Sequence, residues 1–144
     1  MYAHMDKKKT TTDLRLLDIL NQTLKLEYTL IIHYPRIASA IQDTEAKELA
    51  QSLGTASIVH FDTVTNAIKK LGGTPHWSFE PFPNELDLIK IFQIQLEKEN
   101  LALKLHQQIA GMITDFSLRD KFSELSREEG LHIQTVEKIM SRLG

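Results

Sequence analysis

Glu129 and His132 stand three residues apart in a stretch whose apolar side chains recur at helical spacing, so both project from one helix face. A carboxylate and an imidazole in that arrangement can share a divalent metal ion; oxygen and nitrogen donors suit Fe²⁺, Mn²⁺ or Zn²⁺. Three more polar side chains interrupt stripes that are otherwise apolar. Glu27 falls between Leu24 and Ile31, His60 between Leu53 and Val64, and Glu99 between Phe92 and Ala102. A lone carboxylate buried in such a stripe costs several kcal/mol even after relaxation. One bound cation offsets that cost for several carboxylates at once. Blander readings compete: Glu129 and His132 as a surface pair, and His60 as a hydrogen-bonded core residue. In the third stripe, Glu97 is the alternative to Glu99. It shares its side with Lys90, Gln93 and Lys104, a solvated pattern, whereas Glu99 lies with Phe92 and Leu103.

Positioning these residues requires long helices, and the sequence provides four. The apolar period of three to four residues predicts helices at about 13–41, 44–72, 84–113 and 116–143. Asp43 and Asp115 are N-cap candidates in two very short links, so each flanking pair should form an antiparallel hairpin. Gly72-Gly73-Thr74-Pro75 and Pro81-Phe82-Pro83-Asn84 bracket the only long link, about 74–83. Ten extended residues reach roughly 33 Å. The first helix should therefore run antiparallel to the third. Pro35 alone falls inside a helical pattern, where a kink is expected. Period-2 alternation is scarce, so no strands are expected. Glu27 to Ser57 and Glu99 to Glu129 are both 30-residue intervals, which set the polar layers of the two hairpins at one height.

The chain of 144 residues is 42% hydrophobic and 25% charged, with a formal net charge of -2. That length fits one domain, at 13–144, behind a disordered tail at 1–12. The charge gives no electrostatic argument for nucleic acid or an anionic membrane as a partner. Lys7–Lys9 reads better as a solvated terminus than as a nucleic-acid arm. Without cysteine there is no thiolate site, disulfide or iron–sulfur cluster. No apolar run is long enough to span a membrane, and no apolar stretch follows the early lysines, so the expected compartment is the cytoplasm.

Taken in order, Glu27, Ser57-Ile58-Val59-His60, Glu99 and Glu129-Gly130-Leu131-His132 resemble the ligand pattern of the ferritin-like superfamily, the bacterioferritin and rubrerythrin relatives in particular. The resemblance covers about residues 13–143. It implies an all-α four-helix bundle with an internal di-iron carboxylate site. It assigns Glu27, His60 and the bridging Glu129 to one iron, and Glu99, His132 and the same Glu129 to the other. Two departures matter. Ser57 stands where the family has a second bridging glutamate, and Ile58 stands where bacterioferritins carry a haem-ligating methionine, so no haem is expected.

Three functions follow as expectations. The first is a non-haem metalloprotein holding one or two ions, Fe or else Mn or Zn, that reacts with dioxygen or peroxide in the manner of a ferroxidase. The second is a binding or structural bundle whose site is degenerate, because three carboxylates do not balance two divalent ions. The third, a hydroxylase, has no separate substrate motif to support it. Tyr34 and His106 each lie seven residues beyond a proposed ligand. That is about 10 Å along the helix axis, which places them outside the direct ligand set. Off-seam apolar residues Leu26, Ile32, Ile58 and Phe61 predict a homodimer or larger homo-oligomer.

Overall fold

A computed structural model describes residues 9–144. Residues 1–8, including most of the expected tail and two of its lysines, lie outside the described residues. Four helices follow in order: α1 (Thr11–Ser39), α2 (Thr44–Lys70), α3 (Leu88–Met112) and α4 (Phe116–Leu143). The N-termini are set by side chains that accept otherwise unpaired backbone N–H groups. Thr10 and Asp13 form a reciprocal capping box on α1, which starts the helix at Thr11 rather than at 13. Asp43 caps α2 and Asp115 caps α4, as their positions in the links suggest. Helix α3 begins at Leu88 rather than at 84. The Asp87 carboxylate accepts from the Ile89 N–H, and the Pro81–Pro83 segment before it stays non-helical.

Helix α1 continues through Pro35 without a break. The neighbouring α2 accommodates the ring at Gly54, where a Cβ would come within 3.3 Å of the Tyr34 Cβ and 3.5 Å of the Pro35 Cδ. Gly72, at φ +80°, closes the C-terminal end of α2.

The helices form two hairpins, α1–α2 and α3–α4. Across the bundle α1 packs on α3 and α2 on α4; among the described residues the backbones of the α1–α4 and α2–α3 diagonals stay apart, and only side chains meet across them. Residues 71–87 cross the length of the bundle beside α1. Asn21 Nδ2 donates to the Thr74 carbonyl, the Glu80 N–H donates to Thr29 Oγ1, and His33 Nε2 donates to the Glu80 carbonyl. From Asn21 to His33 these ties span about 18 Å of helix. Arg36 then stacks over the Phe82 ring at 4.0 Å. Because the chain returns to the far end before α3 begins, α1 and α3 are antiparallel.

Two aliphatic cores result, one at each end. The first gathers Leu20 and Leu24 of α1 with Ile68, Ile109 and Phe122; the second gathers Leu30 and Ile37 with Leu53, Phe92 and Ile139. The N-terminal half of α1 thus faces the C-terminal half of α3. Between the two cores lies a layer of polar side chains. Of the four residues expected to face water, Leu26 does not: it is buried in the first core against the antiparallel α3. Phe61 is half-buried with its ring 5.4 Å from that of Tyr28, while Ile32 and Ile58 remain exposed. Among the described residues no helix is long and apolar enough to cross a membrane.

Candidate metal centre

The polar layer is made by the residues that interrupt the apolar stripes. Glu27, His60, Glu99 and Glu129 have no exposed surface, and His132 is buried. Glu97 is exposed on the opposite side of α3, so the burial distinguishes it from Glu99. Five side chains from four helices therefore meet in one buried layer.

Glu129 sits at its middle. Its Oε1 lies 2.8 Å from His60 Nδ1, and its Oε2 lies 3.5 Å from His132 Nδ1. The two oxygens of one carboxylate thus face two different histidines, whose rings stack 4.9 Å apart and nearly parallel. Glu27 Oε2 lies 3.2 Å from His60 Nδ1. Glu99 Oε1 lies 3.7 Å from His132 Nδ1, and its Oε2 accepts a hydrogen bond from the Tyr34 hydroxyl at 2.8 Å. On its outer side His60 Nε2 lies 3.3 Å from the half-buried Glu128, a carboxylate that orients the ring so that Nδ1 faces inward.

One histidine was placed outside the set by its sequence position, and the structure corrects that. His106 is buried, and its Nε2 lies 3.0 Å from Glu27 Oε2 and 3.7 Å from Glu129 Oε1. The axial distance to Glu99 on its own helix does separate the two. The residue nevertheless meets Glu27, because α1 and α3 are antiparallel. The same geometry takes Tyr34 to Glu99. The signal was present in the sequence: Glu27–Tyr34 and Glu99–His106 have the same seven-residue offset, and reversing one helix against the other pairs each glutamate with the other's partner. Ser57 is buried one turn before His60, and its hydroxyl donates to the Leu53 carbonyl of its own helix at 2.9 Å.

Potential ligand atoms fall into two groups whose members lie within 4.8 Å of one another: Glu27, His60, His106 and Glu129; and Glu99, Glu129 and His132. Glu27 Oε1, Glu99 Oε1, Glu129 Oε2 and His132 Nδ1 are buried with no protein hydrogen-bond partner. Buried carboxylate oxygens are rarely left so. Unpartnered acceptors of this kind, next to imidazoles, are what a divalent first-row ion would satisfy, so the residues fit such a group.

Electrostatics of the layer are set by protons where no metal is bound. Burial opposes a charge on His60, but the hydrogen bonds and negative charges of Glu129 and Glu27 outweigh it and raise the ring to about 11. His132 is likewise raised against burial, to about 10, by Glu129 and Glu99. His106 is raised against burial by Glu129 and Glu27. Burial alone would lift Glu129, yet contacts with His106, His132 and His60 hold it well below the usual carboxylate range. Burial dominates at Glu99 and, with the charge of Glu129, pushes it up to about 8. Three histidines and the carboxylates among them thus titrate as one interacting group.

The chain matches the ferritin-like domain over residues 17–144, and it belongs to that family. Among solved structures it is similar to a ferritin-like diiron-carboxylate protein from Bacillus anthracis, at 20% identity and a TM-score of 0.83, covering 92% of this chain and 99% of that one. A dodecameric thioferritin, the bacterioferritin-related protein of Bacteroides fragilis, gives 18% identity and a TM-score of 0.79 over 91% of this chain and 87% of its own. The bacterioferritin of Desulfovibrio desulfuricans gives 19% and 0.77 over 96% and 85%. At these identities the likeness establishes the fold. Comparison with curated proteins gives no match.

The proton balance fixes how stability of the metal-free protein depends on pH. His60, His106 and His132 hold protons more tightly folded than unfolded. Their contribution is complete below their ordinary value of 6.5 and is lost as pH rises towards about 10 and 11. Glu99, ordinarily at 4.5, adds a loss in the same direction between 4.5 and about 8. Glu129 acts oppositely, with a contribution present above 4.5 and lost as pH falls. In chelator, the melting temperature should be highest between about pH 4.5 and 6.5 and should fall steadily to pH 9. A melting temperature that stays level or rises across that range in thermal scans would contradict the assignment.

Proposed function

We propose that this ferritin-like chain binds divalent metal, iron foremost, in its central layer and serves as a non-haem ferroxidase-type oxidoreductase with an altered dimetal site. One observation carries the reading: three carboxylates and three histidines converge in a buried layer where buried acceptor atoms lack any protein partner. The proteins of similar fold, a diiron-carboxylate protein and a bacterioferritin, point the same way. Glu27, His60 and Glu129 would hold one ion and Glu99, His132 and Glu129 the other; Mn²⁺ and Zn²⁺ suit the same donors. Bound as Fe²⁺, the metal supplies the electrons that reduce dioxygen or peroxide. The chain's own residues fix the rest. Glu129 presents one oxygen to each side, Tyr34 holds Glu99 by a hydrogen bond, and the two flanking cores exclude water. Ile58 offers no ligand atom, so the reading includes no haem.

The second reading, a bundle with a degenerate site and no redox catalysis, draws on Ser57. Its hydroxyl is engaged by the Leu53 carbonyl and carries no charge, so it cannot bridge two cations about 3.5–4 Å apart as a carboxylate does. Metal analysis of protein purified without chelator, followed by anaerobic Fe²⁺ titration and exposure to oxygen, separates the two. We expect bound metal in the parent, and oxidation of the added Fe²⁺. Glu129→Ala should abolish binding of both ions, and Ser57→Glu should tighten the second and speed oxidation. The added volume of Ser57→Glu could overpack α2 by about 1–3 kcal/mol, which melting of the metal-free variant measures separately. Uptake of metal with no oxidation favours the degenerate-site reading; no uptake by a folded parent removes the metalloprotein reading and leaves a bundle whose site holds no metal.

We also propose a homo-oligomer. Ile32 on α1 and Ile58 on α2 are exposed large apolar side chains on adjacent helices, and one protein of similar fold is described as dodecameric. Light scattering at micromolar concentration should give at least a dimer mass, and a clean monomer would rule the proposal out.

A further inference from the structure

His106 is the member of the central layer for which the four-position ligand pattern of the sequence has no role. It is fully buried, its ring packs 5.9 Å from that of Phe122, and its Nε2 points at the carboxylates of two other helices. His60 Nδ1 addresses the same two carboxylates from the opposite wall. The four distances between these two nitrogens and the two oxygens are 2.8, 3.0, 3.2 and 3.7 Å. Donors arranged tetrahedrally at about 2.0–2.1 Å from a metal stand about 3.3–3.4 Å apart. The four nitrogen–oxygen distances bracket that value, and all four atoms lie within 4.8 Å of one another, close enough to converge on one ion. Charge closes as well: Glu27 and Glu129 together carry two negative charges, which neutralise one divalent ion in a buried layer.

The other half of the layer is poorer. Glu99, Glu129 and His132 supply three side chains, one of them shared, and the Tyr34 hydroxyl already occupies one Glu99 oxygen. We propose that His106 is a metal ligand, and that Glu27, His60, His106 and Glu129 form a charge-neutral, four-ligand site for a single divalent first-row ion. This deepens the metal-binding reading above, on which it rests, and changes its stoichiometry. The first ion binds tightly at the two-histidine, two-carboxylate site. A second binds weakly at Glu99 and His132, where Ser57 supplies no carboxylate. The helix α3 imidazole thus compensates in coordination number, though not in charge, for the carboxylate absent at Ser57.

Co²⁺ is a suitable probe, because its d–d absorption is much stronger in four-coordinate than in six-coordinate sites. Metal-free full-length protein would be titrated with Co²⁺ alongside His106→Ala, His106→Gln and His132→Ala. His106→Gln nearly preserves side-chain volume, and melting of each metal-free variant checks that the fold survives. The parent should take up one tight equivalent with a four-coordinate spectrum. Both His106 variants should weaken that equivalent by about 100-fold or more, beyond the range of outer-shell effects, with the strong absorption lost. His132→Ala should leave the first equivalent intact. Folded His106 variants that bind the first equivalent like the parent, with the same spectrum, overturn the inference and leave the metal-binding reading standing. Equal weakening by His132→Ala overturns it in the same way. A folded parent that takes up no Co²⁺ overturns both together.

Discussion

Glu27, Glu99 and Glu129 lie side by side in the middle of a helical bundle, cut off from water by an aliphatic core on each side. Removing a carboxylate from water costs several kcal/mol unless a positive charge or a proton meets it. Neutralising these three groups is the constraint on which the rest of the structure depends. Protons accomplish it in the metal-free protein: burial keeps one on Glu99 itself, which is raised to about 8, and His60, His106 and His132 are each held in the charged form more firmly than an exposed imidazole would be. A divalent ion can take over that role, provided that the histidines release their protons and offer lone pairs instead. The same side chains therefore serve as counter-ions in one state and as ligands in the other.

The fold exists to bring four helices to that layer at one height. Short capped links at Asp43 and Asp115 make two hairpins, and the long link ties itself along α1 through Asn21, Thr29 and His33. That crossing reverses α3 against α1, and the reversal is what pairs Glu27 with His106 and Tyr34 with Glu99. Had the chain turned back directly after α2, the same residues would have been stacked along the axis rather than joined across it. Surface pairs such as Arg142 with Asp43 and Lys70 with Asp115 pin the ends of the bundle but are exposed and screened, and they contribute little.

Much of this was legible in the sequence, for definite reasons. Helical periodicity and three capping or glycine signals located the four helices, and polar residues within apolar stripes marked the layer. Glu99 could be chosen over Glu97 because their helix faces differ. The start of α3 was misplaced because Asn84 and Asp87 both resemble caps, and only the backbone geometry shows that Asp87 accepts the helix N–H groups. Leu26 was expected at the surface because a stripe read on one helix says nothing of the breadth of its neighbours; α3 covers it. The place of His106 is not legible from α3 alone: its distance from Glu99 runs along that helix, whereas the antiparallel arrangement brings it to Glu27 across the bundle. Ligand sets are built across helices, and sequence spacing within one helix cannot exclude a residue from them.

The most direct test of the exchange between protons and metal is calorimetric. Binding of Zn²⁺ to the metal-free protein at pH 7, measured in buffers of different ionisation enthalpy, counts the protons released per ion. We expect at least one proton to leave for the first ion bound, because raised histidines such as His60 must be deprotonated before they can coordinate. Tight binding with an apparent enthalpy independent of buffer would mean that the histidines do not neutralise the carboxylates, and it would contradict the electrostatic basis of the centre.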